Sequence, residues 1–526
     1  MKFTKILLCL GAATMALQPA YAQKKDKEPS RYLQCDGQPN NTTAGETAAR
    51  LLGAITLLAL FAPSPEAPDP DARKFGEEGV AICSTLLEGG DDIEGNPVRR
   101  LELLLARAIH HIEAKNYDAA IADVALAERE AQEKGFMDDP YFARSFARSF
   151  PQIKATALIR MGRYDEAQAL IDQSFAQASY SVLPVLTTSQ KTMFQRQPTE
   201  SEARILDRKA RIAPPLLTVK ANRLEELGQF AEASAARESV VMLNEIWNPE
   251  HPSTDDFAKA AISFALADNW EKATQYHDMA TANLAARKAA GKNEEKQGTI
   301  IELLDLFEIL NNYNKGEVKM ARRNFAARSQ WVAPSFGAVM ATNQLLRTGA
   351  EADDLWGGLE KTPDQLWQER MDKGLTEMMA KDDDNKTLFY NIEGIYKASD
   401  FESLSKRVWR VEKSKIMQKK KINDGEEFGF DGYLLALYEG SFDAKYDAFL
   451  LHSALIARHK GYKEFFFAPL LTGRGYGMVH FVEPDNSERY GEFSLNTEEV
   501  ISELSQIIPP PEEVKRRKKE RRKKKS

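Results

Sequence analysis

The chain is poor in the residues that build covalent or metal-held scaffolds: of 526 residues, three are cysteine and seven histidine. So few cysteines exclude a disulfide-dense fold and any multi-cysteine zinc or iron–sulfur framework. No apolar run reaches the ~20 residues that a membrane-spanning helix needs. The stretch from Leu51 to Ala62 stops at twelve residues, bounded by Arg50 and Pro63. It reads as a buried helix, with a membrane-inserting hairpin as the alternative. There is no nucleophile elbow, no serine–lysine pair in a persuasive setting and no nucleotide loop. Gly473-Arg474-Gly475-Tyr476-Gly477 is glycine-rich but lacks the Gly-Lys-Ser/Thr ending and the following helix start, so it reads as a turn.

What remains is 43% hydrophobic and 28% charged, which excludes wholesale disorder. The formal net charge of −7 is unevenly spread. From Lys515 to Ser526 there are ten Lys or Arg and one Glu, a local +9 that leaves −16 on the rest. An acidic body with a basic end is not the profile of a nucleic-acid-binding fold.

Met1 to Ala22 has the three parts of a secretory signal: Lys2 and Lys5, an apolar stretch from Ile6 to Leu17, and Ala20-Tyr21-Ala22 before Gln23. The expected location is therefore periplasmic or secreted, after cleavage near Ala22-Gln23. Cys9 follows Leu8 inside the apolar stretch, which argues against lipidation. Export would leave Cys35 and Cys83 in an oxidising compartment, where a bridge between them is expected.

From about Arg99 to Trp331 the pattern is amphipathic helix without strand-like alternation. One phrase recurs: Ala108 … His111 … Tyr117-x-x-Ala120; Ala155 … Gly162-x-Tyr164-x-x-Ala167; Ala221 … Gly228-x-Phe230-x-x-Ala233; Ala261 … Trp270-x-x-Ala273. A degenerate fifth copy is Gly316-x-Val318-x-x-Ala321. Small residues let two antiparallel helices approach, glycine supplies the left-handed residue of the turn, and Tyr117, Tyr164, Phe230 and Trp270 act as structural plugs between successive hairpins.

This phrase resembles the tetratricopeptide repeat, although the plugs lie 47, 66 and 40 residues apart, against a family unit of about 34. The resemblance implies an α-solenoid whose first helices line a groove. Carried over position by position, the groove residues are Gln152, Thr156 and Arg160 in the second repeat and Thr218, Asn222 and Glu226 in the third. The first repeat has Leu105, Ile109 and Ile112 there, and the fourth Ala258, Ile262 and Leu266. Leu105 and Ile109 depart from the family's carboxylate-clamp subtype. They suit either an apolar groove or contact with the N-terminal helix.

Beyond Asp384 the texture changes. Thr387 to Ile392 and Arg407 to Val411 read as short strands, and Tyr446 to His459 as a helix capped by Gly461. Phe465 to Leu470 and Gly477 to Val482 read as a hairpin, and Glu498 to Ile508 as a closing helix stopped by Pro509-Pro510-Pro511. The expected fold is thus mainly α: a TPR-like α-solenoid of helical hairpins followed by a small C-terminal α/β (α+β) domain. Its divisions are a signal peptide (1–22), a helical cap (23–98), the repeat array (99–335), a helical connector (336–384), the α/β domain (385–508) and a Pro stop with a tail (509–526).

Candidate chemistry is sparse. His110 and Glu113 share a helix face as a two-ligand fragment, but nothing completes a metal site, so packing is the expected role. His480 is expected to be a strand residue rather than a base, and Asp382 to Asp384 a solvated linker. No cofactor, metal or catalytic residue is expected. The tail residues Lys515, Arg516, Arg517, Lys518, Lys519, Arg521, Arg522, Lys523, Lys524 and Lys525 are expected to be disordered and to contact anionic lipid or acidic polymer. The functional expectation is a non-enzymatic adaptor in the cell envelope with a protein or peptide partner and no nucleic acid. The alternatives are an envelope enzyme or small-ligand sensor with its site in the C-terminal domain.

Overall fold

The computed structural model describes residues 28–40, 67–89, 96–144, 146–177, 180, 196, 200–247, 252–291, 297–383, 401–411, 417–418, 432–436, 442–470 and 476–525. The signal segment, the apolar run from Leu51 to Ala62 and the strand expected over Thr387 to Ile392 lie outside the described residues.

Two helices, α1 (Arg31–Asp36) and α2 (Gly76–Glu88), form an N-terminal cap. The expected Cys35–Cys83 disulfide joins them. Five hairpins follow: α3 (Pro97–Glu113) with α4 (Tyr117–Glu133), α5 (Ser149–Arg160) with α6 (Tyr164–Gln177), and, after α7 (Glu200–Ile212), α8 (Leu217–Glu226) with α9 (Phe230–Trp247). The last two are α10 (Thr254–Leu266) with α11 (Trp270–Ala289), and α12 (Gln297–Asn314) with α13 (Val318–Ala326).

The five hairpins turn in the same way. A left-handed residue stands two positions before each second helix: Lys115, Gly162, Gly228, Asp268 and Gly316, with φ between 59° and 84°. The next amide then donates to a carbonyl five residues back: Asn116 to His111, Arg163 to Leu158, Gln229 to Leu224, Asn269 to Phe264 and Glu317 to Asn312. This pairing satisfies the open carbonyls at each helix end. Asp268 is among the few non-glycine residues that take this conformation readily, whereas Lys115 is not, so at the first hairpin the fold imposes the turn. Each plug residue opens its second helix and is half-buried. The alanines Ala120, Ala167, Ala233, Ala273 and Ala321 are essentially inaccessible, which lets the paired helices approach.

Two further helices, α14 (Phe336–Arg347) and α15 (Pro363–Asp383), pack back onto the array, α14 against α8 and α10. Asp382 and Asp383 belong to the end of α15, where a solvated linker was expected. Then comes α16 (Phe401–Val408). Arg407 and Val408 thus end a helix instead of opening a strand. Phe401, Leu404 and Val408 recur at helical spacing and are buried, and this stripe outweighs the β propensity of the following residues. Trp409 Nε1 donates to the Ile508 carbonyl at 2.8 Å and fixes the helix end.

The antiparallel sheet has the order β1-β2-β4-β3-β5: β1 (Met417–Gln418), β2 (Gly432–Ala436), β3 (Glu464–Leu470), β4 (Tyr476–Val482) and β5 (Leu495–Asn496). The expected hairpin is β3–β4, with Phe465 opposite Phe481 and Phe466 opposite His480. Helix α17 (Phe442–Lys460) packs on it and is buried on every side from Tyr446 to Ala457, ending at Gly461 with φ 87°. Successive strand residues face opposite layers. Phe465 joins the core shared with α17, and Phe466 joins Tyr490, Phe493 and residues of α8 and α9 in another. Helix α18 (Thr497–Leu504) is capped by Asn496.

The last helix, α19 (Pro511–Lys525), corrects the expected disordered tail. Pro511 takes the first helical position, where its missing N–H costs nothing, and Glu512 and Glu513 complement the helix dipole. Buried Val514 roots it beside α16. The prolines therefore start a helix as well as stopping one.

Candidate functional site

The positions that the resemblance assigns to a groove are largely covered by the chain itself. On α3, Leu105, Ile109 and Ile112 are buried in one cluster with Cys35 and Cys83 of the cap, which decides for the second of the two readings. On α5, Thr156 is buried and its hydroxyl donates to the Gln152 carbonyl at 2.7 Å, while Arg160 donates to the Thr156 carbonyl at 2.9 Å. On α8, Asn222 accepts from Arg237 at 2.6 Å, and half-buried Thr218 completes the set. Buried Glu226 accepts from Arg223 at 3.1 Å and from Arg370 of α15. The space over α8 is thus filled by α14 and α15.

Burying α8 requires pairing its charges. Glu225 accepts two bonds from Arg237, at 3.0 and 2.9 Å, and further bonds from Ser263 of α10 and Ser335, which caps α14. Arg223 pairs with buried Glu202 of α7 at 2.6 Å. One residue stands outside this pairing. Lys209 of α7 is 1% exposed and its Nζ has no hydrogen-bond partner among the described residues. Burial pushes its amine down to about 7, with the Glu202 carboxylate opposing that fall.

The His110–Glu113 fragment belongs to a latch on the cap. His110 is fully buried, with Nδ1 2.8 Å from Glu113 Oε2 and Nε2 2.7 Å from the Cys35 carbonyl. Arg73 donates to the other Glu113 oxygen at 3.0 Å, and the Gly76 amide to the first. Burial would raise the Glu113 carboxyl, but the bonds from His110 and Arg73 outweigh it and hold the group below its ordinary value. Among the described residues no cluster of ligand-type side chains could hold a metal ion. His480 packs among Phe466 and Tyr490, and desolvation pushes its imidazole down to about 3, which leaves it neutral.

Among the described residues, two open surfaces combine charge with accessibility. The first is α19, on which Lys515, Arg516, Lys518, Lys519 and Lys523 are exposed. Arg516 and Arg517 both donate to Glu513, at 2.7 to 3.0 Å, and stiffen the root of the helix. The second is a cleft of about 200 Å³ between α9, α11 and the loop that carries Arg489. Val241, Met242 and Met279 are its aliphatic and thioether lining residues, beside the polar Glu238, Glu245, Gln275 and Arg489. The Tyr276 ring stacks on Phe264 and its hydroxyl donates to Glu238, which Lys272 already neutralises at 2.8 Å.

No family model, curated protein or solved structure matches this chain. No helix among the described residues is long and apolar enough to cross a membrane. Sequence reasoning missed the cleft because it needs Arg489, which only the tertiary fold brings to the array. The covering of α8 was also missed, although the helical spacing of Phe336, Val339 and Met340 and of Trp367 and Met371 was a readable signal.

Proposed function

We propose that the chain is an exported, non-catalytic scaffold of the cell envelope. In this reading the hairpins form a tetratricopeptide-type α-solenoid that engages a protein or peptide partner, and no cofactor is needed. The recurrence of one turn geometry in five hairpins carries the reading, since stacked hairpins of this kind present extended surfaces for macromolecules. Helix α19 supports a peripheral attachment. Its exposed cations lie on a body of opposite net charge, and each basic residue near an anionic surface is worth ~1 kcal/mol. With no apolar stripe beyond Val514, the helix would attach by charge and not by insertion.

The test is fractionation of cells expressing the full chain, followed by affinity capture from the envelope extract. A mature protein beginning at Gln23, retained with the envelope at low salt, released at high salt and carrying a co-purifying protein, is the expected result. Deleting 518–526 should release the body without losing that protein. An uncleaved chain in the cytosol would overturn the proposal.

A further inference from the structure

The cleft between α9, α11 and Arg489 holds two charges that pair with no charged group among the described residues. Glu245, at the exposed end of α9, has no ion-pair or hydrogen-bond partner among the described residues, and Arg489 has only the neighbouring Tyr490 ring, 5.6 Å from its guanidinium carbon. Both line the same cleft, yet they do not pair with each other. Glu238 also lines the cleft, but its carboxylate is already bonded by Lys272 and Tyr276, whereas Glu245 is not. Val241, Met242 and Met279 line the same cleft as the two charges, and the methionine thioethers adapt to the shape of an apolar group. The volume, about 200 Å³, is below the ~300 Å³ at which small-molecule sites usually begin, and suits one side chain of a larger partner. Tyr490, buried with Phe466 and Phe493 against α9, holds the Arg489 loop in place, so the cleft is preformed.

We propose that this cleft recognises a peptide segment of a partner protein in which an aliphatic side chain lies between one basic and one acidic residue. The aliphatic group packs against the two methionines, the basic residue meets Glu245 and the acidic residue meets Arg489. Neither the covered groove positions nor α19 offers this combination of an apolar seat with two charges of opposite sign. The inference deepens the scaffold reading and rests on it.

Fluorescence anisotropy with the full mature chain and capped, labelled pentapeptides tests it. The probes are Lys-Ala-Leu-Ala-Glu, the reversed Glu-Ala-Leu-Ala-Lys, the doubly basic Lys-Ala-Leu-Ala-Lys, and both mixed-charge peptides with Gly in place of Leu. One mixed-charge order should saturate with a Kd on the order of 100 µM. Replacing Leu, or making both ends basic, should weaken it at least about fivefold, as the loss of one buried aliphatic group or one charge pair does. Glu245→Gln and Arg489→Gln should each weaken it similarly, and the double variant Glu245→Arg/Arg489→Glu should prefer the reversed peptide. Both side chains are exposed, so the variants fold, which circular dichroism verifies. Equal binding of all the peptides, no saturation by about 10 mM, or indifference to both single variants would overturn the proposal. Envelope capture by the same variants separates the two readings. Peptide binding lost with capture retained supports the cleft as a site beside the main partner contact. Failure of every peptide with capture retained removes the cleft and leaves the scaffold, whereas peptide binding without any envelope partner removes the scaffold.

Discussion

Helices α3 and α8 hold the same place in their hairpins, and both are covered, but by different means. The cover on α3 comes from upstream and is covalently closed: α1 and α2 are tied by Cys35–Cys83, with buried Arg99 paired to Asp36 at 2.9 Å. The cover on α8 comes from more than a hundred residues downstream and has no covalent tie. It is held by Glu225 and Glu226, which reach Ser335 and Arg370. Closing the first site costs little loop entropy once the disulfide has formed, while the second depends on every charge being paired in place. Two faces that look alike in a repeat pattern thus differ in how they can be opened.

The sharpest way to break this contrast is Glu225→Ala. It leaves Arg237 buried without its carboxylate, and losses of this kind run to about 3–5 kcal/mol. Chemical denaturation should show that loss, and hydrogen exchange should place the opening at α14 while the cap stays protected. A loss below about 1 kcal/mol would mean that apolar packing alone closes α8.

Next in size is the cap. Replacing Cys35 and Cys83 by Ser removes a cross-link between residues 48 apart, worth ~4 kcal/mol on the chain-entropy model. The melting of α1 and α2 should separate from that of the array, with exchange at α14 unchanged. If α14 loosened equally, the two covers would be one cooperative unit.

Glycine contacts sharpen the comparison further. A Cβ on Gly337 would sit 2.2 Å from the Glu226 backbone nitrogen, whereas on Gly79 it would meet the His110 ring at 2.4 Å. The α8 backbone cannot yield, and the buried His110 ring is pinned by Glu113 and the Cys35 carbonyl, so Gly337→Ala and Gly79→Ala should each cost about 3 kcal/mol. Thermal melts of the two variants check this; a Gly79→Ala variant that melts like wild type would mean that the His110 latch can shift.

Much of this was legible in the chain. The small residues and plugs marked four hairpins and a weaker fifth, because a helix pair needs both at fixed offsets. The β3–β4 hairpin and α17 with its Gly461 cap were legible for similar local reasons, and the cysteine pair from its count and the expected compartment. What was hidden is tertiary. Val408 and Trp409 look like strand residues until Ile508 and the core around α17 claim them. The α19 helix depends on Val514, one residue before the basic run, and on a Pro-Glu-Glu start that resembles a stop. The groove positions were carried over from a resemblance, and nothing local to Thr218, Asn222 and Glu226 announces that α14 and α15 return to cover them.

Lys209 gives the smallest and most diagnostic test, because it sits in the charge-paired region without taking part in the pairing. Its amine falls from an ordinary 10.5 to about 7 in the folded chain. Above pH ~10.5 the lysine is neutral folded or unfolded and costs nothing. As pH falls from there to about 7 the unfolded chain takes up the proton first, so the unfolded state gains, and below about 7 the penalty is constant. Wild-type stability should therefore rise with pH across that window, as far as this group is concerned. Lys209→Met keeps the length and removes the charge. It should raise stability by about 1 kcal/mol at pH 6 to 7, since replacing a buried charged group by an apolar one of similar volume is neutral to stabilising. The advantage should shrink to nothing near pH 10. Denaturation of both proteins across that range measures it. A variant less stable at pH 7 would mean that the amine is charged and held by Glu202, making Lys209 a member of the network that covers α8.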